Sequence, residues 1–280
     1  MQHAAIFGLV LCGGKSSRMQ RDKAALDYHG QSQLEHAVQL LARVTAKVYV
    51  SVRADQTDDP LRRRYPQIVD RAGVTGPMAG ILAAFDNEPN AAWLVLACDL
   101  PLLERDTLEY LLAERDPTQL ATAFRSHHDG LPEPLCALYE PAAAPALREQ
   151  WAAGKACPRK FLLQHPVALL TLPNPRALDN ANTGAEYSAI MQALNATNPI
   201  ERRLRIEYFA ILREQAGQRE EELTSTAATA ADLYRELAAR HTFTLDITML
   251  RVAINGEFAP WDQPLQAGDA VVFIPPVAGG

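Results

Sequence analysis

Three short apolar runs punctuate the first two thirds of the chain: IFGLVLC at 6–12, VYVSV at 48–52 and WLVLAC at 93–98. Continuous apolar and β-branched runs of this length suit parallel strands buried on both faces. Between and after them, apolar positions recur at helical spacing. Ser32 and Glu35 form a capping box, and Leu34, Val38 and Leu41 then line one face. Residues 104–115 and 184–195 read as further helices. Strand alternating with helix predicts an α/β sheet with helices on both sides.

The pattern changes after residues 196–201 (ATNPIE), a short polar stretch with a proline that reads as a linker. Beyond it, LRIEYFAIL (204–212) and EEELTST (220–226) read as strands. Thr229 to His241 reads as a helix with Leu233 and Leu237 one turn apart. RVAING (251–256) and AVVFIPP (270–276) follow as strands. Strand, strand, helix, strand, strand is the order of a small α+β domain. A length of 280 residues agrees with two domains. The division expected is 1–196, a linker at 197–201, and 202–280.

Composition narrows the function classes. Hydrophobic residues make up 48% and charged residues 21%, which is ordinary globular usage. The net charge of −6 and the lack of a basic stripe argue against nucleic acid as a partner. The dense cluster Arg62, Arg63 and Arg64 follows the acids Asp55, Asp58 and Asp59 and reads as a solvated face. No run reaches the ~18–20 apolar residues of a membrane span. The apolar stretch 4–12 lacks a basic leader and runs straight into GGK, as a buried strand entering a loop would. Cys12, Cys98, Cys136 and Cys157 show no C-x-x-C spacing, so reduced thiols and a cytoplasmic location are expected.

The strongest local signal follows the first strand: L-C-G-G-K-S-S-R-M-Q-R-D-K, residues 11–23. Gly13 and Gly14 let backbone approach a ligand closely, and exposed N–H groups in such a turn cradle phosphate oxygens. Lys15, Arg18 and Lys23 bring positive charge to the same loop. Gly14-Lys15-Ser16 does not complete a P-loop, because the first glycine would have to stand at Leu9, and G-x-G-x-x-G is absent. Asp99 stands where the third apolar run ends, and ligands of open α/β sheets bind outside such ends. A carboxylate there suits Mg²⁺, or caps the helix that follows.

With these residues in order, the N-terminal part resembles the molybdenum cofactor guanylyltransferases, nucleotidyltransferases with a Rossmann-like fold. Further matches are Asp70, G-P-M-A-G from Gly76 to Gly80, C-D-L-P with Asp99, E-P-L-C-A-L-Y (133–139) and D-N-A-N-T (179–183). The resemblance covers about residues 5–195. It implies transfer of GMP from GTP to the terminal phosphate of Mo-molybdopterin, with release of pyrophosphate. Asp99 would hold Mg²⁺, and Lys23 and Arg18 would neutralise phosphate charge. Leu11, Cys12, Gly13, Gly14, Ser51, Asp70, Gly76 and Gly80 would line the nucleotide. Asn180 and Asn182 would lie near the pterin, with a helix cap at Asn182 or Thr183 as the plainer reading. The chain departs from the family pattern at Cys12, where alanine is usual, at Gln20, where glycine is common, and at Ser51, where asparagine is frequent. Cytidylyl transfer to the same cofactor stays open as the alternative.

The C-terminal part resembles the small sulfur-carrier subunit of molybdopterin synthase, a ubiquitin-like β-grasp protein. The matches are Y-F-A-x-L-R-E (208–214), A-I-N-G (253–256) and G-D-A-V-V-F-I-P-P-V-A-G-G (268–280). The resemblance implies that an adenylating enzyme activates the Gly280 carboxylate, that sulfur replaces AMP to give a thiocarboxylate, and that the large synthase subunit takes the sulfur. A thiamine-type sulfur carrier is the alternative for this part.

Overall fold

The computed structural model describes residues 4–13, 22–180, 183–197 and 200–276. The chain forms two compact units. The first takes residues 4–13, 22–25 and 31–180, and the second takes 26–30, 183–197 and 200–276.

In the first unit the elements follow in the order β1 (Ile6–Leu11), a 3-10 turn (Lys23–Ala25), α1 (Gln33–Ala42), β2 (Lys47–Val52), β3 (Gln67–Val69), α2 (Pro77–Asn87), β4 (Ala92–Ala97), α3 (Arg105–Ala113), β5 (Ala121–Arg125), β6 (Pro132–Tyr139), α4 (Ala143–Ala152), α5 (Pro158–Gln164) and β7 (Val167–Thr171). The sheet order is β3-β2-β1-β4-β6-β5-β7. β3, β2, β1 and β4 run parallel, β6 is antiparallel to both β4 and β5, and β7 is parallel to β5.

Each apolar run serves both faces, because successive side chains of a strand point to opposite sides. Val10, Leu94 and Leu96 join a core with Leu34 and Leu41 of α1 and Leu108 and Leu111 of α3. Leu9, Trp93 and Val95 join a second core with Ile81 and Phe85 of α2, Leu147 of α4 and Phe161 of α5. The expected α/β sheet with helices on both sides is therefore present, with an antiparallel strand, β6, set into it. Ser32 caps α1, its Oγ accepting the Glu35 N–H at 3.2 Å.

The second unit contains α6 (Gly184–Thr197), β8 (Arg202–Tyr208), α7 (Ala210–Ala216), β9 (Glu220–Ser225), α8 (Ala230–His241), β10 (Arg251–Ile254), β11 (Glu257–Ala259) and β12 (Ala270–Ile274). Its sheet order is β11-β10-β12-β8-β9, with β12 parallel to β8 and the other pairs antiparallel. This is a β-grasp sheet. Leu233, Tyr234 and Leu237 of α8 pack on Leu204, Ile206, Val252, Val271 and Phe273. Thr229 and Asp232 close a reciprocal capping box at the start of α8. The buried Arg202 guanidinium donates to the Asp27 carbonyl at 3.1 Å, which also accepts the Tyr187 hydroxyl at 2.8 Å.

Two local expectations change. The run 204–212 is not one strand: the backbone turns at Ala210, whose φ is 46°, and 210–216 forms α7, ended by the left-handed Gly217. RVAING ends in a turn in which Asn255 and Gly256 have φ of 53° and 87°, which folds β11 back on β10. Both residues tolerate positive φ, and Asn-Gly favours a hairpin turn of this kind.

Among the described residues no helix is long and apolar enough to cross a membrane. All four cysteines are free thiols.

In the first unit Arg115 and Glu140 form a two-pronged ion pair at 2.6 and 2.8 Å, with side-chain exposures of 10% and 4%. Removing one partner leaves a buried charge unpaired. Glu140→Ala is expected to lower unfolding free energy by about 3–5 kcal/mol in urea denaturation followed by tryptophan fluorescence.

Candidate functional site

The parallel register gathers the sequence-selected residues at one edge of the sheet. Leu11 of β1 stands opposite Ser51 of β2 and Ala97 of β4. The Cys98 N–H donates to the Leu11 carbonyl at 3.2 Å, and the Asp70 N–H donates to the Val52 carbonyl at 2.8 Å. Gly13, Arg53, Asp70 and Asp99 therefore leave the carboxyl ends of four adjacent strands side by side. In open α/β sheets this edge is where ligands bind.

At one side of the edge, Lys23 Nζ lies 2.7 Å from Asp99 Oδ2, with side-chain exposures of 20% and 22%. Lys23 rides on the short turn 23–25, which Asp22 caps by accepting the Ala24 N–H at 3.0 Å. Asp99 is not the cap of α3, since Glu104 occupies that position. Its carboxylate is left for the site.

At the other side, Ser51 donates a hydrogen bond to Asp70 Oδ1. A Cβ on Gly13 would lie 3.0 Å from Asp70 Oδ2, and one on Gly80 would lie 2.7 Å from Leu11 Cδ2 and press on Ser51 Oγ. Glycine at these two points lets the β1 exit and α2 close around the Ser51–Asp70 pair. Gly76, with φ of 69°, starts α2 ahead of Pro77. Burial lifts the Asp70 carboxyl above its ordinary range, against the Ser51 hydrogen bond and the Arg53 charge, which hold it down. Leu11, Gly13, Ser51, Asp70 and Gly80 thus form one cluster. Cys12 is buried beside it, its Sγ donating to the Ser51 carbonyl at 3.2 Å. Burial pushes its thiol pKa up to about 11, so it stays protonated.

Asn180 is exposed and follows Asp179, whose carboxylate takes His128 and Arg176, each at 3.1 Å. Thr183 caps α6 with Glu186. Gly14, Arg18, Asn182 and Gly280 lie outside the described residues.

Two arginines of the β2–β3 connection belong to this edge and were not singled out from the sequence for it. Arg53 donates to the Gly13 carbonyl and pairs with Asp55 at 2.9 Å. Arg62 is buried, contrary to its reading as part of a solvated face, whereas Arg63 and Arg64 are exposed. Its guanidinium reaches the Cys12 carbonyl at 3.0 Å and the Asp22 carboxylate at 2.6 Å. The spacing Asp59-x-x-Arg62 is a local sign of pairing, but both distant partners come from the fold.

One carboxylate, that of Asp99, is the candidate ligand for a hard cation at this edge, and it is paired with Lys23. Among the described residues no cluster of three or more His, Cys, Asp or Glu side chains is placed to hold a metal. Asp99 supplies carboxylate oxygens at an accessible edge. Mg²⁺ is commonly held by one or two carboxylates, with phosphate oxygens and water completing its shell.

The profile of the MobA-like NTP transferase domain matches residues 8–169. The chain belongs to the MobA-like NTP transferase family. The ThiS family matches residues 206–280, so the second unit carries a ThiS-family domain behind the transferase domain. A molybdenum cofactor biosynthesis bifunctional protein of Synechocystis sp. is 35% identical over 185 residues, covering 66% of this chain and 53% of that relative. The chain thus spans about half the length of that relative. A probable molybdenum cofactor guanylyltransferase of Trichormus variabilis is 31% identical over 192 residues, covering 68% of this chain and 93% of the relative. The crystal structure of molybdopterin-guanine dinucleotide biosynthesis protein A from Archaeoglobus fulgidus shares the transferase fold. Its TM-score is 0.54 at 23% identity, over 69% of this chain and 100% of that one.

The tight Gly80 contact makes a direct test of this MobA-like packing. Gly80→Ala is expected to cost about 1–3 kcal/mol in chemical denaturation. Adding Ser51→Gly should recover part of that loss by removing one of the two side chains that the new methyl meets, the other being Leu11. Parent-like stability of Gly80→Ala would contradict the packing.

Proposed function

We propose that the first domain transfers GMP from GTP to the terminal phosphate of Mo-molybdopterin. A phosphate oxygen of the acceptor attacks the α-phosphorus, a new P–O bond forms, the α–β phosphoanhydride breaks, and pyrophosphate leaves. The Lys23–Asp99 pair at the carboxyl edge of β1 and β4 carries this reading. The acceptor phosphate is already anionic, so the site needs charge neutralisation and alignment more than a strong base.

Lys23 brings a cation to the edge, where it would contact the nucleotide phosphates. Asp99 would hold Mg²⁺, which when bound neutralises phosphate charge and orients phosphate oxygens. Asp70, oriented by Ser51, would accept from the nucleoside, and Gly76 to Gly80 would form a backbone wall around the base. Arg18 would add charge to the phosphate side, and Asn180 and Asn182 would face the pterin substrate.

The second domain is proposed to carry sulfur as a thiocarboxylate on Gly280. Its partners would be an adenylating and sulfurating enzyme and the large subunit of molybdopterin synthase. The division at 197–201, with carrier residues 202–280, belongs to this proposal. The β-grasp sheet and the ThiS match support it.

Offered GTP and CTP together with Mg²⁺ and Mo-molybdopterin, the full chain is expected to yield the guanine dinucleotide. A cytosine product would keep the mechanism and overturn the base assignment; no product would overturn the activity. Asp99→Ala should reduce pyrophosphate release by roughly 10²–10³-fold or more while the protein stays folded. Extending the chain by one residue beyond Gly280 should stop thiocarboxylate formation, read by mass spectrometry, and leave dinucleotide synthesis unchanged. Sulfur loading of the extended chain would overturn the carrier role.

A further inference from the structure

The β2–β3 connection places a buried cation between the two ends of the glycine-rich segment. Arg62 has a side-chain exposure of 2%. Its Nη2 donates to the Cys12 carbonyl at 3.0 Å, and its Nη1 lies 2.6 Å from Asp22 Oδ2 and 3.2 Å from Asp59 Oδ1. Each partner fixes a different piece of backbone. Cys12 is the first residue beyond β1. Asp22 accepts the Ala24 N–H on Oδ1 and the Ala25 N–H on its carbonyl, both at 3.0 Å, and so begins the turn that carries Lys23. Asp59 Oδ1 accepts the N–H groups of Leu61 and Arg62 at 3.1 and 2.9 Å, which anchors the arginine's own backbone.

Burying a guanidinium is costly unless its charge and its donors are matched. Here two carboxylates and one carbonyl take the two Nη groups, while the buried Nε has no partner among the described residues. The planar fork of arginine holds its donors in a fixed, wide geometry, whereas the three donors of an ammonium sit on one nitrogen at the end of a flexible stem. The consequence falls on Lys23. The path from Arg62 through Asp22 to the 23–25 turn ends at the Lys23–Asp99 contact.

We propose that Arg62 is a positioning residue for nucleotidyl transfer. It ties Asp22, and through the turn Lys23, to the carboxyl end of β1, and it cancels the Asp22 charge one residue away from the lysine. This rests on the reading of Lys23 and Asp99 as the phosphate-handling pair.

The test compares the full-length parent with Arg62→Met and Arg62→Lys by two measurements. The first is the rate of acetylation of each lysine by acetic anhydride, read by mass spectrometry. Lys23 should react several-fold faster in folded Arg62→Met, with Lys160 unchanged. The second is dinucleotide synthesis from GTP and Mo-molybdopterin. In Arg62→Met, kcat should fall by roughly 10²-fold with near-ultraviolet circular dichroism retained, as expected when an aligned group is displaced. Arg62→Lys, which keeps a charge but loses the fork, should fall between, and it serves if Arg62→Met does not fold. Adding Asp22→Asn should restore part of the lost kcat, a non-additivity expected of groups in one network. Parent-like Lys23 acetylation in the folded variants, or a parent-like kcat, would overturn the proposal. A parent that makes no dinucleotide, alongside faster Lys23 acetylation in the variants, would overturn the transfer reading and leave the role of Arg62 in holding Lys23 standing.

Discussion

Parallel pairing of β1 with β2 and β4 brings the chemistry of the first unit to one place. Parallel neighbours point the same way, so the residues that follow them emerge at the same edge. Gly13, Arg53, Asp70 and Asp99 come from distant parts of the chain and meet because the strands before them share a register. The two apolar cores hold that register. A one-residue slip would turn Leu9 and Val10 each to the other face and break both cores at once. Stability of the sheet and placement of the site are therefore one constraint.

Much of this was legible in the sequence because the relevant signals are short-range. The runs at 6–12, 48–52 and 93–98 hold β1, β2 and β4, and the residues just beyond each run are those the structure gathers. Gly13 and Gly80 are explained by close approach, which a glycine signals without naming what approaches. The partners themselves were not legible. Ser51 reads as a departure from an asparagine, yet its hydroxyl is bound to Asp70 and its Oγ faces Gly80. The three consecutive arginines look alike on paper. The spacing to Asp59 hints at one partner, but it is the fold that turns Arg62 inward to Asp22 and leaves its neighbours exposed.

The second unit shows the same limit from another side. The period-two burial of β8 and the helical face of α8 follow from apolar spacing, and the core they share is compact. What spacing missed was where the chain turns. Nothing in FAIL separates a strand from the first turn of a helix, and the break at Ala210 depends on a positive φ that alanine seldom adopts. Asn255-Gly256 carried its own turn signal, and its hairpin could have been drawn from the sequence alone.

The arginines also change what the β1 edge offers to an anion. A strand end presents carbonyl oxygens as well as N–H groups, and an outward carbonyl repels a phosphate. Here the carbonyls of Cys12 and Gly13, on consecutive residues, are taken by Arg62 and Arg53. These two acceptors are occupied by cations, and nearby Asp22 and Asp55 are paired with those same arginines. The edge then carries fewer uncompensated negative groups than its acid count suggests. Asp99, paired with Lys23, keeps a carboxylate at the accessible end of β4, where a hard cation would be shared with phosphate oxygens. Asp22, Asp55 and Asp99 are thus each paired with a cation, and the proposed polyphosphate chemistry would draw on an edge whose acids and carbonyls are already largely compensated.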